Sequence, residues 1–119
     1  MLETWAGRGA SFEGLLVEEI IADAQNTLPQ PECLFFRTQA GAEVDLLVLS
    51  GNDVWPIEIK LGVNVGARDT LGLRSCMEDL GVDRGYVVTR GDEKRSLGRG
   101  VHTIPLESIV AGHGYPWRR

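Results

Sequence analysis

The sequence predicts an α/β fold, a mixed β-sheet flanked by helices. Three observations carry that expectation. An amphipathic helical stretch comes first, three short apolar strands follow close together, and a second helical stretch separates them from two more strands. A parallel strand pair needs a long connection, which the second helix supplies, so the sheet is mixed. The chain has 119 residues, the size of one domain, with 43% hydrophobic and 24% charged residues.

From Ser11 to Leu28 the residues Phe12, Leu15, Leu16, Ile20, Ile21, Ala24 and Leu28 recur at spacings of three and four, with Ser11 as N-cap and Pro29 and Pro31 forbidding continuation. Cys33 to Thr38 reads as a short strand, broken by Gln39-Ala40-Gly41. Residues 43–49 and 54–60 alternate about the turn Ser50-Gly51-Asn52-Asp53. A second helix covers about 66–80, with Leu73, Met77 and Leu80 on one face and Gly81 where a terminating glycine belongs. Residues 84–89 and 101–104 are strands separated by a polar loop, Arg90 to Gly100. Pro105 opens a last short helix ending near Gly112.

Composition excludes several classes. No apolar run approaches the roughly 20 residues of a membrane helix, and no secretory leader is visible. No membrane partner is expected, and a reducing, cytoplasmic setting is the default. Two cysteines, Cys33 and Cys76, are too few for a disulfide scaffold and read as small core residues. His102 and His113 have no partner at metal-ligand spacing. A net charge of -5 argues against a generic nucleic-acid coat. The charge is uneven: residues 1–59 hold ten acids and two bases, residues 60–119 seven acids and ten bases. That asymmetry suits a metal site joined to a phosphate-facing surface, and equally a solvated exterior whose halves neutralise each other.

A hairpin centred between Gly51 and Asn52 puts Val44, Leu46 and Val48 opposite Ile59, Ile57 and Trp55 on one apolar face. Its other face sets Asp45 opposite Glu58, and Glu43 opposite Lys60. Opposed Cβ atoms lie about 4.5–5.5 Å apart, so two facing carboxylates need a cation or a shared proton. Lys60 points to the same side as Glu58. Glu13 sits at the flank of the first helix's buried stripe, with Glu18 as a second flank candidate; Glu19 and Asp23 read as solvent-side or boundary residues. Asp45, Glu58 and the Ile59 carbonyl are hard oxygen donors suited to Mg²⁺ or Mn²⁺, with Glu13 reaching the ion through water. Such an ion polarises a phosphoryl oxygen, and Lys60 can orient water or stabilise developing charge. The chemistry implied is phosphodiester hydrolysis. A plain salt-bridge cluster on an exposed sheet face is the competing reading. Pro56, inside the third strand, deletes a ladder donor and tests the register.

Glu13, Asp45 and Glu58-Ile59-Lys60, on helix, strand and strand, resemble the PD-(D/E)xK nuclease superfamily. Gly9-Ala10-Ser11-Phe12-Glu13 and Val44 to Val48 are similar to the archaeal Holliday-junction resolvases. Over about residues 9–110 the chain most resembles the uncharacterised C-terminal domain behind AAA+ ATPase modules of bacteria and archaea. The shared pattern here is Phe12-Glu13, Phe36-Arg37-Thr38, Gly41-Ala42-Glu43-Val44-Asp45 and Ile57-Glu58-Ile59-Lys60. The resemblance implies a restriction-endonuclease-like αβββαβ(β) core and one nuclease-like domain over 1–119, the C-terminal part of a longer ATPase-containing protein. It implies Mg²⁺-dependent cleavage of DNA with Asp45, Glu58, Lys60 and Glu13 as catalytic residues. The alternative is a catalytically inactive nuclease-fold module for DNA binding, regulation or oligomerisation of an attached ATPase. DNA, the ATPase domain and a second copy of the chain are the expected partners. Arg37, Arg68, Arg74, Arg90, Lys94, Arg95 and Arg99 are the candidate phosphate contacts. No P-loop occurs in this chain.

Overall fold

The computed structural model describes residues 2–4, 11–39, 41–62 and 64–118. Trp5 (read from sequence as a packing or interface residue), Gly9 and Ala10 of the leading motif, and Ala40 of the strand break lie outside the described residues.

Helix α1 (Phe12–Thr27) begins where Ser11 accepts a hydrogen bond from the Gly14 N–H through its Oγ. Leu16, Val17, Ile20 and Ala24 are buried. Phe12 and Leu15, expected on the same stripe, are 50% and 56% exposed, so the buried stripe is narrower than the spacing predicts. The chain then forms β2 (Glu32–Arg37), β3 (Glu43–Ser50) and β4 (Asp53–Ile59). Ser50 pairs with Asp53, which leaves the two-residue loop Gly51-Asn52. Gly51 has φ 59° and leads the pair, the position at which a type II′ hairpin takes glycine. A 3₁₀ turn (Ala67–Thr70) leads into α2 (Leu71–Leu80), so the stretch expected as one helix from 66 is two. Gly81, φ 68°, ends it in the left-handed region.

Strands β5 (Gly85–Thr89) and β7 (Val101–Pro105) and helix α3 (Leu106–Val110) complete the expected order. Two short strands were not foreseen: β1 (Leu2–Thr4) and β6 (Ser96–Gly98), the latter inside the expected polar loop. The sheet order is β1-β2-β3-β4-β5-β7-β6. Pairs β4–β5 and β5–β7 are parallel and the others antiparallel, so the molecule is α/β with a mixed sheet.

Two apolar clusters sandwich the sheet. On one face Leu16, Ile20, Ala24 and Ile109 of the helices meet Leu46, Val48, Trp55, Ile57 and Ile59. On the other, Leu73, Cys76 and Met77 of α2 meet Val44, Leu47, Val87 and Val101. Asp23, read as a solvent-side or boundary residue, is half-buried at the boundary and bonded to Trp117 and Arg118. Among the described residues no helix is long and apolar enough to cross a membrane.

The expected register between β3 and β4 holds at Leu46–Ile57 and Val48–Trp55. It survives Pro56 for a geometric reason. The Lys60 N–H donates to Val88 of β5 and the Ile59 N–H points toward β3. By alternation the Pro56 nitrogen faces β5, just before that pairing starts at Ile57–Tyr86. No β3–β4 bond is lost.

The register fails nearer the site. Leu34 pairs with Leu47 but Phe36 with Val44, so Asp45 and Leu46 together oppose Phe35 alone. This is a β-bulge, and it interrupts the alternation of faces. Val44 therefore joins the α2-side cluster while Ile59 belongs to the α1-side cluster. The expected Val44–Ile59 pair does not form.

Candidate functional site

The bulge decides what Asp45 does. Its Oδ2 accepts a hydrogen bond from the Ile59 N–H at 2.8 Å, so its carboxylate lies at the seam between β3 and β4. Glu58 follows the ordinary alternation. Trp55, Ile57 and Ile59 face α1, so Glu58 faces α2, where its charge contributes to raising the Cys76 thiol. The two acids are thus not the flat facing pair that an unbroken register predicts. They are still electrostatic neighbours, as the effect of Asp45 on Glu58 shows.

The Glu58 side chain is only 15% exposed. Lys60 Nζ stands 3.8 Å from its Oε1, while Oε2 is buried with no hydrogen-bond partner. Burial pushes the Glu58 carboxyl up to about 7, with Lys60 pulling it down and Asp45 pushing it further up. A buried carboxylate oxygen with nothing to accept from is costly, and a proton or a cation relieves it.

Lys60 is held by its main-chain bond to Val88 and its side chain is 38% exposed. The expected Glu43–Lys60 neutralisation is replaced. Glu43 pairs with Arg37, its partner across β2 and β3, and Lys60 pairs with Glu58.

Glu13 reaches the same end of the sheet by topology. Ser50 Oγ donates to the Pro29 carbonyl, which ties the end of α1 to the end of β3. The N-terminal turn of α1 therefore lies toward the Asp45 end. Glu13 is exposed there, as is Glu18. Among the described residues, no three carboxylate, imidazole or thiol side chains gather closely enough to hold a metal ion. The donor chemistry of Asp45, Glu58 and the Ile59 carbonyl nonetheless fits a hard divalent cation, and the orphaned Glu58 Oε2 is an acceptor such an ion satisfies.

The candidate phosphate contacts separate into two groups. Arg37 bonds Glu43, Arg74 Nη2 donates to the Leu97 carbonyl at 3.1 Å, and Arg95 Nη2 donates to the Val65 carbonyl at 2.6 Å. Arg68, Arg90, Lys94 and Arg99 are exposed, as are Arg37 and Arg95 despite their bonds. Arg90 directly follows β5, beside the end of β4 that carries Lys60. A cleft of about 520 Å³ beside α2 is lined by Leu71, Arg74, Met77, Val82 and Arg99, and by none of Asp45, Glu58 and Lys60. The Asp45–Ile59 bond and the Arg95 bond were not readable from sequence, because each joins a side chain to a main-chain atom at a bulge or a loop.

Comparison with known proteins finds one family. Residues 8–109 match the model of a domain of unknown function, DUF4143, and the chain belongs to that family. No curated protein and no solved structure matches.

Proposed function

We propose that this DUF4143 domain hydrolyses DNA phosphodiesters in the cytoplasm with the help of Mg²⁺ or Mn²⁺. One observation carries the reading: a buried, partnerless carboxylate oxygen on Glu58, beside a lysine and under the influence of Asp45. Asp45, Glu58 and the Ile59 carbonyl would hold the ion, with Glu13 contributing through water. The ion, when bound, supplies Lewis-acid polarisation of a phosphoryl oxygen.

The chain's own groups supply the rest. Lys60 has a partly exposed side chain whose ammonium would serve water or charge developing on the phosphate. The Asp45–Ile59 bond ties β3 to β4 directly beside Glu58 and Lys60. Arg90, exposed directly after β5, and Lys94, exposed in the loop that follows, would meet a phosphate backbone.

Calorimetry with Mg²⁺ and Mn²⁺, paired with cleavage of branched and single-stranded DNA, tests this. Binding heat and nicking that Glu58→Ala abolishes are expected. Absence of heat together with intact DNA of every form would end the proposal.

A second reading has specific support. One oxygen of Asp45 is already engaged by main chain, and no third acid gathers beside the pair among the described residues. Both favour a non-catalytic module that regulates, or assembles, an attached ATPase domain. On that reading Glu58→Ala leaves partner binding unchanged.

A further inference from the structure

Leu61 packs against the α1-side cluster, and Val65, 5% exposed, belongs to the α2-side cluster. Leu61 and Val65, the two ends of a strap that follows Lys60, thus lie on opposite faces of the sheet. Apolar burial holds both ends of this strap. The Val65 end has a second hold, the 2.6 Å bond from Arg95 Nη2 to its carbonyl.

Arg95 is itself fixed. Its N–H donates to Thr103 Oγ1 at 2.9 Å, and the Thr103 N–H donates to the Arg95 carbonyl at 2.8 Å. Thr103 Oγ1 donates in turn to the Glu93 carbonyl at 3.2 Å. Thr103 is buried in the parallel strand β7. The guanidinium therefore hangs from a segment locked to the sheet and reaches across to the strap.

We infer that Arg95 is a positioning residue that ties the 61–65 strap to β7 and so keeps the end of β4, with Glu58 and Lys60, in its place. Its guanidinium is directed at a carbonyl, although the residue as a whole is exposed, as Arg90 and Lys94 are. The tie itself rests on geometry; its consequence for ion binding rests on the function proposed above.

The experiment uses the full chain with Arg95→Ala and Arg95→Lys, Mn²⁺ alone as the probe, and amide hydrogen exchange across residues 61–66. Arg95→Ala is expected to keep the wild-type urea transition, to exchange roughly tenfold faster in the strap, and to bind Mn²⁺ roughly tenfold more weakly, the range found when groups that orient metal ligands are removed. Arg95→Lys keeps a donor and is expected to recover most of both. Unchanged strap exchange in Arg95→Ala would overturn the tie whether or not the ion binds. Faster exchange with wild-type Mn²⁺ affinity would overturn the positioning role. If the wild type binds no Mn²⁺, the proposed function fails and the exchange result alone decides the tie.

Discussion

The two ends of β4 solve opposite problems. At the hairpin end Trp55 is enclosed by aromatic and charged neighbours. Trp117 meets it edge-on with centroids 5.5 Å apart, Tyr115 stacks on Trp117 at 5.6 Å, and the Arg84 guanidinium lies 4.8 Å from the Trp55 ring centre. Trp117 Nε1 donates to Asp23 at 2.7 Å, and Arg118 pairs with the same carboxylate. Burial alone would raise Asp23, but its bonds from Arg118, Trp117 and Thr27 outweigh that and hold it below the usual range. At the Lys60 end the acid is raised instead, because burial outweighs the one lysine 3.8 Å away and a neighbouring acid adds to it. Each end also hides an orphan, Trp55 Nε1 and Glu58 Oε2. The neutral orphan costs a few kcal/mol at most, whereas the charged one invites a proton or a cation. One end stabilises the fold, and the other holds an unmet electrostatic demand.

The comparison can be broken most sharply at the aromatic end. Trp55→Ala should cost about 3–5 kcal/mol in urea unfolding through lost burial and the cavity left behind. It should leave Mn²⁺ affinity unaltered. A shared loss would mean that the two ends are not separable.

The next effect is the pH dependence of Glu58. Its folded value of about 7 lies above its ordinary 4.5, so the folded state holds the proton more tightly. The associated stability is complete below pH 4.5 and disappears as pH rises through 7, a change on the order of 3 kcal/mol. Unfolding at pH 5 and pH 8 should show this fall in the wild type, and Glu58→Gln should flatten it. Asp23 titrates with the opposite sign: its contribution is lost as pH falls through its lowered value.

A smaller effect follows from linkage. At pH 8, Mg²⁺ at ten times its dissociation constant should stabilise the wild type by about 1.4 kcal/mol and Glu58→Gln not at all. Smallest is Ser11→Ala, expected to cost about 1 kcal/mol by removing the N-cap. If Glu13 contributes to ion binding, fraying this first turn should also weaken Mn²⁺ uptake. Unchanged uptake would separate Glu13 from the site.

Much of the fold was legible because it rests on local signals. The Ser11 cap, the Gly51-Asn52 hairpin, the Gly81 terminator and the alternation of residues 54–59 each follow from residue type and spacing. The short strands β1 and β6 were not legible, since three residues carry no periodic pattern. The Glu43–Lys60 pair was misread because Arg37, not Lys60, lies across from Glu43. Asp23 was legible as a boundary residue, but its bonds to Trp117 and Arg118 were not, because those partners lie more than ninety residues away in sequence.

The amino-acid order alone determined the helix and strand succession, the hairpin register at Leu46–Ile57 and the gathering of Asp45, Glu58 and Lys60 at one end of it. Tertiary structure decided how those side chains are aimed. One extra residue in β3 turned Asp45 onto a main-chain N–H, and packing beneath α2 buried Glu58. Alternation is a property of each chain segment, but a bulge and a desolvated charge exist only once neighbouring strands and helices press against it.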